Sequence, residues 1–136
     1  MIWSDAEKTA AGLVWEDDPA PFDNRFYWAA DLPRALDDVT DEDGNVTLGL
    51  KSQYKAQIKV TAASLLAPTD WHVVKATEVD SYSVPANISQ YRTDVRAASN
   101  TIEAAIDGAA DLDAFIALFD APEDGNAPIN DWPDEV

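Results

Sequence analysis

The sequence predicts a mainly α-helical fold: a small helical domain with two long helices, two short helices, and extended, acidic N- and C-terminal flanks. Three observations predict it. Apolar residues recur every three or four positions through residues 50–66 and again through 85–106, the period of a helix with one covered face. Pro68, Pro85 and Gly108 punctuate these stretches where a helix should stop, start and stop again. Acidic stretches without that period lie on either side. The chain thus divides into an irregular acidic segment with short elements (1–48), a helical core (49–120) and an extended acidic tail (121–136).

In the first segment, Ser4-Asp5-Ala6-Glu7 carries the cap pattern for a short helix over Ala6–Leu13. Asp17–Pro21 reads as a break, Arg25–Trp28 as a strand or loop anchor, Pro33–Leu36 as a short turn of helix, and Asp41–Asn45 as a turn. The helix over 50–66 places Leu50, Tyr54, Ile58, Ala62 and Leu65 on one face, with Lys51, Lys55 and Lys59 as a stripe beside it. Pro68 ends it, and Thr69 and Asp70 can cap a short helix over 70–78, where Trp71, Val74 and Glu78 share a face; as a strand, Trp71, Val73 and Lys75 would share one, and the cap favours the helix. Val84-Pro85 opens the second long helix, with Ile88, Tyr91, Val95, Ala98, Ile102 and Ile106 on its apolar face and Gly108 after it. A last helix covers Asp111–Phe119 with Asp111 as cap, and Ile129 and Trp132 are candidate anchors in the tail.

With 136 residues and 46% hydrophobic content, the chain has enough material for one modest core. It contains no cysteine, which fits a reducing compartment, and no apolar run long enough for a membrane span or a secretory leader. The net charge of −17 opposes binding to nucleic-acid phosphates or to an anionic membrane, and favours a basic or neutral protein partner. The charge is segregated: −9 over residues 1–48, +2 over 49–96 and −10 over 97–136. Either the acidic parts are solvated faces, or the middle binds something, or the flanks fold back on its cations.

No pattern for catalysis stands out. His72, the one histidine, reads as a partly exposed structural residue, since no paired-ligand spacing surrounds it. Asp41–Asn45 lacks the order of a calcium loop, and Ser52 stands where its twelfth-position glutamate would be. Twenty-six acids offer many pairs and single out none, and phosphate loops and nucleophile elbows are missing. The expectation is a protein that is not an enzyme, with no cofactor and no metal. Arg92 and Arg96, one helical turn apart, either pair with carboxylates such as Glu78 or the acidic C-terminal third, or clamp a partner's carboxylate. Exposed aromatics beside them would serve as interface anchors.

The ordered set Thr69-Asp70-Trp71, Val73-Val74-Lys75, Glu78, Val84-Pro85, Tyr91-Arg92 and Arg96 resembles the tail assembly chaperone family of tailed bacteriophages. Leu65–Pro68 before it, and Arg96–Glu103 after it, are similar to the version found in marine T4-like phages, including cyanophages. The resemblance covers residues 48–107; Lys75 stands where arginine is common, and Asp80–Ser83 replaces a Gly/Thr-rich turn. It implies a non-catalytic tail or tail-fibre assembly protein, acting in the host cytoplasm during assembly or staying in the virion tail as an accessory subunit. Its implied partner is a phage tail or tail-fibre protein, another virion subunit or a second copy, with no nucleic acid and no membrane. Trp71, Lys75, Glu78, Tyr91, Arg92 and Arg96 are the partner-binding candidates. A second reading, an acidic mimic of DNA that blocks a DNA-binding protein, follows from the charge alone.

Overall fold

The computed structural model describes residues 21–136. The expected helix over Ala6–Leu13 and most of the break at 17–21 lie outside the described residues. The chain forms two compact units that part between Pro33 and Arg34.

The described part of the first unit is a small antiparallel ribbon, β1 (Tyr27–Ala29) with β2 (Leu32–Pro33). Arg25–Trp28 therefore leads into a strand. The ribbon is preceded by a tight local knot: Asp23 accepts from the Arg25 backbone N–H and from its guanidinium, 2.7 Å at the shortest.

The second unit opens with a hairpin, β3 (Val39–Thr40) paired to β4 (Val46–Thr47). The turn expected at Asp41–Asn45 joins these strands. Asp41 Oδ1 accepts from the backbone N–H of Asp43 and Asn45 at 2.9 and 2.8 Å, and Gly44 takes φ +83°, where a side chain would be strained. Helices then dominate: α1 (Leu50–Leu66), α2 (Asp70–Glu78), α3 (Ala86–Asp107) and α4 (Leu112–Ala117). The helical expectation is met in part: the fold is about 52% helix, and it also holds two small sheets.

The expected helical turn at Pro33–Leu36 does not form: Pro33 ends β2 and irregular chain follows, its carbonyls being used elsewhere. Ala35 and Leu36 accept from the N–H groups of Leu50 and Lys51 at 2.9 and 3.1 Å, which satisfies the free donors at the start of α1. Asp38 Oδ1 takes the Gly49 N–H at 2.8 Å. Gly49 is required there, since a Cβ would fall on the Leu36 carbonyl. Residues 34–48 accordingly belong with the helices rather than with the N-terminal segment.

The core is the seam between α1 and α3, which run antiparallel: Lys51 and Lys55 meet Asp107 while Leu65 and Leu66 meet Tyr91 and Arg92. Leu50 and Ile58 are buried from α1; Tyr91, Val95, Ile102 and Ile106 are buried from α3. The α3 seam passes through Ser99 rather than Ala98, one position round from the expected face. Phe115 of α4 is fully buried and packs edge-on against Tyr54 and Phe119, with ring centroids 5.5 and 5.6 Å away. Asp111 caps α4 as expected, accepting from Ala114 N–H at 2.8 Å. In the tail, Pro128–Asn130 makes one 3₁₀ turn beside α3, and Ile129 N–H donates to the Leu118 carbonyl at 3.0 Å. No described helix is long and apolar enough to cross a membrane.

Candidate protein-binding surface

The joint between α1 and α2 carries the site. Pro68 ends α1, and a 3₁₀ turn over Ala67–Thr69 leads into α2 with no loop between. Thr69 does not cap α2, contrary to the sequence expectation. Its backbone is still helical, and its hydroxyl donates to the Leu66 carbonyl at 2.8 Å. Arg92 reaches across from α3 to this joint. Its Nη1 lies 2.7 Å from Asp70 Oδ1, 2.8 Å from Thr69 Oγ1 and 3.1 Å from the Leu66 carbonyl. Beside it, Tyr91 donates to the Leu65 carbonyl at 3.3 Å. Burial pushes the Tyr91 phenol above its ordinary pKa, with the Glu135 charge adding to the effect.

These contacts correct two of the candidate assignments. Arg92 and Tyr91 are buried, and both serve the chain's own carbonyls. Arg92 and Arg96 cannot act as a paired clamp, because Arg92 faces inward while Arg96, one turn on, is exposed. Nor does Arg92 meet Glu78 or the acidic C-terminal third; its carboxylate partner is Asp70.

Of the remaining candidates, Arg96 is exposed on α3, while Trp71, Lys75 and Glu78 stand on α2, which has no buried residue. Trp71, Val74 and Glu78 share its outward face as the spacing predicts, and all three are exposed, Trp71 and Val74 each by 54%. Val73 and Val79 are exposed at 40%. Covering the open part of Trp71 alone would remove roughly 100–150 Å² from water, on the order of 3 kcal/mol. A helix with this composition normally turns such residues to a core; here they face solvent.

A ring stack that the sequence does not reveal borders this face of α2. The Trp71 and His72 rings stack with centroids 3.7 Å apart, and His72 Nδ1 shares a 2.6 Å hydrogen bond with the Tyr82 hydroxyl. Lys75 Nζ sits 4.5 Å from the Tyr82 ring centroid, so its charge lies over an aromatic face. Tyr82 belongs to the turn after α2, where no periodicity could have pointed to it. His72 is half-buried and structural, in keeping with the sequence reading.

The lysine stripe on α1 answers the charge question. Lys55 pairs with Asp107 at 2.9 Å and Lys59 approaches Glu103 at 3.7 Å, while Lys51 donates to the Asp107 carbonyl at the end of α3. The Asp107 carboxylate holds the Lys55 amine above its ordinary pKa. Acids of the last third thus fold back on cations of the middle. Among the described residues no three histidine or carboxylate side chains converge as metal ligands would. Comparisons of this chain with protein-family models, with characterised proteins and with solved structures find no match.

Proposed function

We propose that this chain is a non-catalytic assembly protein of a tailed bacteriophage, one that binds a tail or tail-fibre subunit in the host cytoplasm and either leaves the finished tail or stays on it as an accessory subunit. The observation that carries the binding role is α2: a nine-residue helix with a tryptophan and a valine outward and no residue buried, clamped in place by Arg92. The ordered motif from Thr69 to Arg96 supports the choice of partner class. Its residues divide into a clamp (Thr69, Asp70, Tyr91, Arg92) and an exposed face (Trp71, Val74, Lys75, Glu78), a division of labour suited to presenting a surface to another protein.

The reading as a DNA mimic gains no support. Such a mimic needs free carboxylates spaced along ordered elements, whereas Asp107 and Glu103 on α3 face lysines of α1.

The test is to follow the protein through assembly. It is expected to co-purify with a tail or tail-fibre subunit from infected cells, or to be found by mass spectrometry in purified virions. Normal fibre maturation without it, together with its absence from virions, would overturn the proposal.

A further inference from the structure

We infer that α2 is a docking helix whose Trp71, Val74 and Glu78 enter a groove on a partner protein that is apolar along its floor and rimmed by lysine or arginine. The inference rests on the assembly reading and names the chemistry of the partner's surface.

Three observations carry it. First, positions 71, 74 and 78 follow the spacing by which a helix offers anchors to a groove, and all three are open to solvent. Second, the helix is already held in shape. Arg92 fixes its first turn through Asp70, and the Tyr82 hydroxyl is bonded to its His72. A pre-formed ligand loses less freedom on binding, so its few apolar anchors count for more. Third, acid outweighs base beside the face. Glu78 and Asp80 are exposed carboxylates, Asp70 is taken by Arg92, and the one ammonium of α2, on Lys75, lies over the Tyr82 ring.

The charge also selects against the simplest occupant. A second copy would bring another −17 against these carboxylates, and the two would repel. A groove with basic edges places a cation against Glu78 and Asp80 as the indole is covered. The −17 of the whole chain would speed that encounter at low salt.

The experiment places a photocross-linker on the helix in the cells that make the protein, as Val74→p-benzoylphenylalanine. The control is the same group at Gln57, an exposed position on α1. Adducts are digested and the partner peptides sequenced. The expected result is a 74-linked peptide with apolar residues flanked by lysine or arginine, whose yield falls about tenfold or more with Trp71→Ala or with Glu78→Lys. Circular dichroism of both variants should match the parent, since α2 contributes nothing to the core.

A 74-linked peptide from a second copy, an acidic partner peptide, a yield unmoved by Trp71→Ala, or no adduct at all would overturn the inference. Adducts to a tail or fibre subunit from Gln57 but not from position 74 would overturn it while leaving the assembly role intact. A basic-rimmed partner at position 74 that belongs to no tail or fibre would support the docking helix and remove the assembly role.

Discussion

Arg92 reaches back 22 residues to Asp70, with 2.7 Å between Nη1 and Oδ1, and in doing so ties the long helix α3 to the first residue of the exposed helix α2. The arginine is buried and the aspartate is not, its side chain being 57% exposed. The two ends of the ion pair should therefore respond very differently to mutation.

Arg92→Ala is expected to destabilise the protein by about 2–4 kcal/mol, because it opens a gap at a buried site and removes three hydrogen bonds at once, leaving the Thr69 hydroxyl and the Leu66 carbonyl only each other. Asp70→Asn should cost under about 1 kcal/mol, as exposed ion pairs do. Urea titrations of the two variants would check the contrast; equal losses would mean that the ion pair, rather than the carbonyl and hydroxyl bonds, holds the joint.

Trp71→Ala should leave stability within about 1 kcal/mol of the parent, since it loses only surface ring contacts, with His72 and Tyr82. Phe115→Ala, by contrast, empties a fully buried site and should cost about 3–5 kcal/mol. Thermal melts of the pair separate a surface tryptophan from a core aromatic. A large loss for Trp71→Ala would show that α2 leans on the core more than its exposure implies.

Gly49→Ala is expected to be far worse than an exposed glycine replacement. The added Cβ meets the Leu36 carbonyl, so the 35–38 segment must move off the start of α1. A loss of about 1–3 kcal/mol follows from overpacking of this kind. Gly125, with only the Pro122 side chain near it at 3.5 Å, is the matched control and should tolerate alanine. Denaturant midpoints of the two variants decide it.

Acid should loosen the same junction. The Gly49 N–H holds the Asp38 carboxyl below its ordinary pKa, with Ser52 assisting, and the Asn45 N–H does the same for Asp41. Their folded pKa values are depressed, so their contribution is full above the ordinary aspartate value of about 3.9 and is lost as pH falls through the lower folded values. Tyr91 has the opposite sign. Its pKa is raised, so its contribution holds below the ordinary phenol value of about 10 and is lost as pH rises beyond it. Asp38→Asn should flatten the acid limb of a stability–pH curve, and Tyr91→Phe the alkaline limb; limbs that do not change in these variants would assign the titration to other groups.

The helices were legible because their causes are local. The periodicity of Leu50, Tyr54, Ile58 and Leu65, the prolines at 68 and 85, and Asp111 as cap mark α1, α2, α3 and α4 within a few residues of where they lie. Where the reading failed, a distant partner had intervened. Pro33–Leu36 is not helical because residues fifteen positions on use the carbonyls of Ala35 and Leu36. Thr69 gives up capping because Arg92, 23 residues on, takes its oxygen.

The candidate site was legible as a set of residues and not as an arrangement. Sequence alone determined that Trp71, Val74 and Glu78 share a face if 70–78 is a helix and that the middle third holds six of the nine cations, since spacing and charge are properties of the chain itself. Only the tertiary structure decided that Arg92 and Tyr91 turn inward to backbone carbonyls, that the lysines of α1 meet the acids of α3, and that α2 is left uncovered. A side chain's spacing says which neighbours it shares a face with. Whether that face meets a core, an ion of opposite charge or water depends on contacts made across the fold, and no local pattern carries that information.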